Sequence, residues 1–368
     1  MPLSLDEIAR YQRHLSLAGF GPAAQEKLKH SSVLVIGAGG LGCPALLYLA
    51  AAGVGRIGIV DSDTVELSNL QRQVLFTTAD AGKPKAEAAA ARLHALNPLI
   101  AVEAHRIRFT RDNAMDLVRA YDLVVDGSDN FATRYLVNDA CVLAGRPLVY
   151  GAIQGFEGQV SVFNWRNGPT YRCLFPEPPE PGTVPSCNEN GVLGVLPGMI
   201  GTMQASEAIK ILTAIGEPLS GRLFLFNALL MTTSSLSLTP DPENKQIKDL
   251  PPAGYGETCA VPAGAPDEIE APELRALMAA GKTPQLIDVR EGWERELARI
   301  DPSRHAPVGR IEQGNLAGLE GLDPKAPTVV YCAHGMRSLR AMNVLKLRHG
   351  FEHISSLKGG QAHWATGQ

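Results

Sequence analysis

No apolar run in this sequence is long enough to span a bilayer: stretches such as LLYLAAAGVG break at glycine or charge well short of about 20 residues. The opening segment MPLSLDEIARYQRHL carries mixed charges and lacks the apolar core of a secretory leader, so a cytoplasmic location is expected. Aromatic residues make up only 6%. Charges nearly cancel, 34 Lys and Arg against 38 Asp and Glu, which leaves no basic field for nucleic acid or an anionic membrane. Cysteine is also sparse. Its six copies, Cys43, Cys141, Cys173, Cys187, Cys259 and Cys332, are scattered over 368 residues and form no disulfide framework, leaving free thiols, metal ligands or catalytic groups.

What remains is an ordinary α/β composition, with 45% hydrophobic residues on a chain long enough for two or three folded units. Ser4 to Glu7 spells a capping box before a helix that carries Arg10, Arg13 and His14. SVLVIGAGGLG is a β-branched run entering a glycine turn, LGCPALLYLAAAG an apolar helix and RIGIVD a second buried strand. Pro84 occupies a first-turn helix position in PKAEAAAARLHAL, and YDLVVDGSD and RPLVYGAI read as further parallel strands. GQVSVFNW and RLFLFNA alternate like antiparallel strands; between them lie a proline-rich loop, CLFPEPPEPGTVPSCNENG, and the apolar helix MIGTMQASEAIKILTAIG. These patterns predict a Rossmann-like doubly wound sheet with an antiparallel extension over residues 1–238. A proline-rich linker is expected over 239–267, then a second, smaller α/β domain over 268–368, in which QLIDVR, TVVYC, RSLRAMNVLKLRHG and HISSLKGG alternate strand and helix.

GAGGLG places Gly37, Gly39, Gly40 and Gly42 directly after a strand, where backbone N–H groups and a helix N-terminus cradle phosphate. Asp61 ends the next strand, where an acid bonds a ribose hydroxyl. A nicotinamide dehydrogenase looks the same to this point. Arg72 in SNLQRQ and Lys85 in GKPKAE then add two cations to the phosphate site. A dinucleotide already held by backbone amides has little use for them, whereas a triphosphate whose charge moves onto leaving pyrophosphate does. Asp129 in DGSDN falls at the C-terminal end of a parallel strand, a place suited to Mg²⁺.

Through RYQRH, GAGGLGCPA, DSDTVELSNLQRQ, GKPKAE, DGSDN and EAIKIL, residues 5 to 240 resemble the MoeB/ThiF/HesA family, bacterial relatives of ubiquitin-activating enzymes. The resemblance implies that Asp61 binds the ribose of ATP, that Asn69, Arg72 and Lys85 bind phosphates, that Asp129 binds Mg²⁺, and that Arg13 reaches into the nucleotide of a partner subunit in an obligate homodimer. It further implies a substrate: the C-terminal Gly-Gly carboxylate of a ubiquitin-like sulfur carrier protein of the MoaD/ThiS type, which is adenylated with release of pyrophosphate. Family members with structural zinc carry two C-x-x-C pairs, but Thr170 and Gly256 stand where two ligands are missing; Cys173 and Cys259 alone do not close a tetrahedral site, and no zinc is expected. Cys187, in the proline-rich loop, occurs where members often keep a cysteine able to link covalently to the activated carrier. A tolerated surface thiol is the alternative. Cys43 and Cys141 fall in apolar helices and read as small core residues.

In VVYCAHGMRS, Cys332 ends a strand, Gly335 and Arg337 form a tight loop and a helix begins near Ser338, so that several loop amides are expected to converge on the sulfur and favour its anion. The spacing Cys-x4-Arg is one residue shorter than the Cys-x5-Arg loop with which phosphatases enclose a phosphoryl group, and fits sulfur. With LIDVRE, GWERE and LKGGQAHWA, residues 267 to 366 resemble the rhodanese domain; RIDPSRHAPVG departs from the HIPGA pattern usual there, which leaves local loop geometry open, and His334 is given no role. The two halves explain each other. An acyl-adenylate needs a sulfur nucleophile, and a Cys332 persulfide, charged by a persulfide or thiosulfate donor, supplies one. The leading expectation is therefore an ATP-dependent adenylyltransferase fused to a sulfurtransferase serving molybdopterin, thiamine or related biosynthesis. A nicotinamide oxidoreductase with a redox-sensing domain and a non-catalytic carrier-binding scaffold are the rivals.

Overall fold

The computed structural model describes residues 2–178, 191–251, 255 and 267–366. The chain folds as two compact units, residues 1–259 and 260–368. The expected capping box forms: Ser4 Oγ accepts from Glu7 N–H and the Glu7 carboxylate accepts from Ser4 N–H, opening helix α1 (Leu5–Leu15) ahead of α2 (Gly21–Lys29). Then the doubly wound frame begins. Its strands β1 (Ser32–Ile36) and β2 (Arg56–Val60) are buried, as apolar runs without a polar face must be when helices cover both sides of a parallel sheet. Helix α3 (Gly42–Ala52) joins them, and α4 (Lys85–Leu96) leads to β3 (Ala101–His105), an edge strand with little apolar patterning that the sequence did not reveal.

Helix α5 (Arg111–Arg119), β4 (Leu123–Asp126), α6 (Phe131–Ala144) and β5 (Leu148–Gln154) complete the parallel part. After β6 (Glu157–Phe163), helix α7 (Val195–Thr213) precedes β7 (Arg222–Asn227) and β8 (Thr232–Ser237). The eight-stranded sheet runs β3-β2-β1-β4-β5-β6-β7-β8; β1 to β5 pair in parallel, and β5 to β8 pair antiparallel. Strand order reverses between β1 and β4, where the carboxyl ends diverge and leave room for a ligand.

Two expectations shift. Pro84 caps α4 with an extended backbone (ψ 130°) instead of occupying its first turn. The first unit also takes up residues assigned to the linker: Asp241 donates its backbone N–H to Cys173 Sγ, Tyr255 hydrogen-bonds Asp139, and Leu250 is buried in the apolar cluster that includes the α6 residues Tyr135, Val137 and Ala140.

The second unit is a five-stranded parallel sheet, β11-β10-β12-β13-β9, built from β9 (Glu268–Ile269), β10 (Gln285–Asp288), β11 (Arg304–His305), β12 (Thr328–Tyr331) and β13 (Ile354–Leu357). The departing segment RIDPSRHAPVG supplies the short edge strand β11, held where His305 Nε2 meets the Arg290 carbonyl oxygen at 2.8 Å. Among the described residues no helix is long and apolar enough to cross a membrane.

Gly42 shows how tightly the glycine turn is built. A Cβ there would lie 1.9 Å from the Gly37 carbonyl oxygen, a backbone atom that cannot swing aside. Gly42→Ala is expected to destabilise the first unit by about 3–5 kcal/mol, read as an earlier midpoint in urea unfolding; an unchanged midpoint would contradict the close approach.

Candidate functional site

A cleft of about 470 Å³ opens at the carboxyl ends of β1, β2 and β4. Gly37, Gly39 and Gly40 form its floor, and Gly37 adopts φ +90°, a left-handed conformation that glycine alone takes without strain. Asp61 closes one side. Its Oδ2 accepts from Ala38 N–H and its Oδ1 from Asp63 N–H, both at 2.8 Å, so the carboxylate is fixed against the glycine turn with lone pairs to spare. Burial pushes the Asp61 carboxyl above its ordinary range, although those amides and Lys85 pull it partly back.

The two cations arrive from separate segments. Thr64 bridges Pro84, with Val65 N–H on the Lys83 carbonyl and Lys85 N–H on that of Asp63, which brings the start of α4 against the end of β2. Buried Lys85 then directs Nζ to Asp63 at 3.1 Å. Arg72 sits on the Ser68–Gln73 turn, held by a bond from Nη1 to the Ser68 carbonyl, and its side chain passes beside Gly40. Asp129 lies exposed on the cleft wall past β4.

Gly37, Gly39, Gly40, Asp61, Arg72, Lys85 and Asp129 thus share one cleft. Gly42 stands behind it as the spacer described above. Asn69 does not line it: its side chain accepts from Glu66 N–H and donates to Ser68 Oγ, and its carbonyl receives the N–H groups of Arg72 and Gln73, so in this geometry it shapes the turn that carries Arg72. Arg13 is exposed on α1 and is not among the residues that line the cleft.

Other wall residues stand outside the residues that the motifs single out. Gln73 Oε1 and Ser128 Oγ are buried in the lining with no hydrogen-bond partner among the described residues, an arrangement that suits a polar ligand there. Arg134 stacks over Phe131 and Tyr150 and donates to the Ser128 carbonyl, steadying the turn that bears Asp129. Gln73 was within reach, one residue beyond Arg72 in the same motif; a buried arginine inside the apolar stretch FATRYLVNDA was the available signal for Arg134. This donor set fits a nucleoside triphosphate: glycine amides and two cations for phosphates, a carboxylate for ribose, and the exposed carboxylate of Asp129 for a divalent cation.

In the second unit Cys332 follows β12, its thiol buried. The expected convergence of several loop amides reduces to one, Gly335 N–H at 3.1 Å from Sγ, joined by the Ser338 hydroxyl at 3.5 Å. The reason is the turn: Gly335 takes φ +102° and starts the helix Met336–His349 at once, aiming its own amide at the sulfur. Ser338 also bonds the Gly335 carbonyl and Ser356 Oγ. Arg337 pairs with Glu294 through both guanidinium tips, at 2.7 and 2.6 Å. Beneath the loop, Asp288 receives a two-pronged contact from Arg290, whose guanidinium lies over the Tyr331 ring, and this buried pair anchors the strand end that carries Cys332.

Cys43 and Cys141 are core residues; burial pushes the Cys43 thiol up to about 12 and raises Cys141 well above the ordinary range. Cys173 differs, since burial would raise it but hydrogen bonds from Thr170 and Asp241 outweigh that and lower it. Cys187, Gly256 and Cys259 lie outside the described residues.

The geometry agrees with likeness to known proteins. The probable adenylyltransferase/sulfurtransferase MoeZ of Mycobacterium tuberculosis is 47% identical over 374 residues, spanning 99% of this chain and 94% of that protein. The sulfur carrier protein adenylyltransferase of Thermus thermophilus is 56% identical over 251 residues, 67% of this chain and 93% of that protein. A crystal structure of E. coli MccB with AMPCPP and selenomethionine MccA superposes with a TM-score of 0.54 at 25% identity, covering 63% of this chain and 72% of that one. Residues 11–247 match the ThiF family and residues 270–366 the rhodanese-like domain. The chain therefore belongs to the ThiF family and carries a rhodanese-like domain after it.

Proposed function

We propose that this protein adenylates the C-terminal Gly-Gly carboxylate of a ubiquitin-like sulfur carrier with ATP and then delivers sulfur to it from Cys332, in the cytoplasm and as a homodimer. One observation carries the reading: Arg72 and Lys85, from separate segments, meet the glycine turn in a single cleft on a chain that also holds the Cys332 loop. Backbone amides near Gly39 and Gly40 and the two cations would bind the phosphates, and Asp61 the ribose. Asp129 would hold Mg²⁺, which offsets phosphate charge when bound. Arg13, exposed on α1, would reach the partner's nucleotide.

The carrier carboxylate attacks the α-phosphorus and pyrophosphate leaves, its growing charge met by Arg72 and Lys85. The terminal sulfur of a Cys332 persulfide then attacks the acyl carbon and AMP departs, leaving an acyl disulfide. An external thiol then attacks the Cys332 sulfur of the acyl disulfide and releases the thiocarboxylate, and a second external thiol reduces the mixed disulfide left at Cys332; Cys187 would link covalently to the activated carrier. Thiosulfate or a persulfide recharges Cys332. The products enter molybdopterin, thiamine or related sulfur metabolism.

Pyrophosphate exchange into ATP, dependent on an added Gly-Gly carrier from the same genome, tests the first step. Intact-mass spectrometry of the carrier then detects its thiocarboxylate. No exchange with any such carrier would defeat the reading.

A further inference from the structure

We infer that Glu294 sets which sulfur donors Cys332 accepts, by neutralising Arg337 so that the loop disfavours dianions such as thiosulfate relative to singly charged persulfides. The inference rests on the reading of Cys332 as a sulfur acceptor.

Of the loop residues Ala333, His334, Gly335, Met336 and Arg337, the arginine is the one that is cationic at every working pH. Here its tips are committed. Glu294 Oε1 takes Nη2 at 2.6 Å and Oε2 takes Nη1 at 2.7 Å, while Oε2 also accepts Glu291 N–H at 2.9 Å, so three donors hold the carboxylate in place. Both side chains are mostly buried, 15% and 12% exposed, which limits screening of the pair by water. The pairing is mutual: Glu294 raises Arg337, and Arg337 holds Glu294 below its usual range against the upward push of burial.

Charges around the loop do not make up the loss. Glu291 adds a second carboxylate that Arg337 feels. Arg290 and Arg295 are engaged by Asp288, and Lys358 by Glu270. The Cys332 and Ala333 carbonyls receive Gln361 and Ala362 N–H groups, so that among the described residues the sulfur has Gly335 N–H and the Ser338 hydroxyl, whose single proton is shared with the Gly335 carbonyl. Those two suit one sulfur anion. A thiosulfate brings a sulfonate as well, and its second charge must approach the Glu291 and Glu294 carboxylates while Arg337 is already neutralised.

Both donors react alike in form. The Cys332 thiolate attacks the outer sulfur, forming Cys332–S–S⁻, and the leaving group is sulfite from thiosulfate or a thiolate from a persulfide. Glu294 touches neither sulfur and acts as a positioning residue through Arg337.

The test is the initial rate of Cys332 persulfide formation in the full-length protein, followed by peptide mass spectrometry with thiosulfate and with cysteine persulfide as donors. Glu294→Gln is expected to raise kcat/KM for thiosulfate about fivefold relative to cysteine persulfide, mainly through a lower thiosulfate KM, whereas Glu294→Asp keeps the wild-type ratio. An unchanged ratio in Glu294→Gln overturns the inference. If that variant does not fold, Glu291→Gln, at an exposed position, is expected to move the ratio the same way by about twofold, and no movement there overturns it equally. A wild-type protein that forms no Cys332 persulfide with either donor would instead remove the sulfur-acceptor reading on which the inference stands.

Discussion

Replacing Lys85 with alanine is expected to lower carrier-dependent pyrophosphate exchange by about 10²–10³-fold while leaving persulfide formation at Cys332 unchanged. Lys85 is the first residue of α4 and is buried against the cleft. Its carboxylate partner among the described residues, Asp63, is 68% exposed, so their contact is a surface-like pair worth little and readily exchanged for a phosphate. A phosphate so placed gains a charge-assisted bond inside a walled site where water screens poorly, and the gain grows as charge shifts onto the departing pyrophosphate. The loss should therefore fall on kcat more than on the KM for ATP. Lys85→Arg retains the charge but not the compact ammonium, and is expected to recover only part of the rate. Exchange at the wild-type rate in Lys85→Ala would mean that Lys85 does not meet the leaving pyrophosphate, and would assign that charge to Arg72 and the glycine-turn amides.

That prediction uses residues that were legible in the sequence. Gly37 to Gly42, Asp61, Arg72, Lys85 and Asp129 sit in short contiguous motifs whose local geometry follows from a strand, a glycine turn and a helix in succession, so the sequence order maps onto the cleft. Segments with strong period, such as β1, β2, β4, β5 and the antiparallel β6 and β7, were legible for the same reason. What escaped depends on distant pairing. The Glu294–Arg337 contact spans 43 positions, and neither residue's neighbourhood announces the other. Strand β3, with the polar pattern AVEAH, and the two-residue strands β9 and β11 exist only because a neighbour offers a hydrogen-bonding edge. Leu250 illustrates the converse: a single apolar residue in a proline-rich stretch looked like linker, yet it fills the core over α6. Asn69 and the Cys332 loop show a finer limit, since motif membership did not tell which atoms point at the ligand or at the sulfur.

Cys332→Ala is expected to abolish thiocarboxylate formation from thiosulfate or cysteine persulfide while carrier adenylation proceeds at the wild-type rate. The sulfur atom leaves a buried pocket in which Gly335 N–H and the Ser338 hydroxyl are its polar neighbours, so alanine keeps the backbone and removes only the nucleophile. Two hydroxyl-bearing side chains remain nearby, but Ser338 is engaged by the Gly335 carbonyl and by Ser356, and neither oxygen carries transferable sulfur. Activated carrier, as the adenylate or linked covalently through Cys187, should then accumulate, because without a persulfide the acyl carbon meets no transferable sulfur. Added sulfide bypasses the missing group: it attacks the same acyl carbon directly, expels AMP and restores the product in proportion to its concentration. The wild-type chain has a further advantage at low donor, since covalent fusion of the two units converts delivery into an encounter at fixed effective concentration. The variant rescued by sulfide should therefore show a linear dependence on sulfide where the wild type saturates. Thiocarboxylate yield that survives Cys332→Ala with thiosulfate as the sole sulfur source would assign delivery to another thiol and leave the second unit as a binding module.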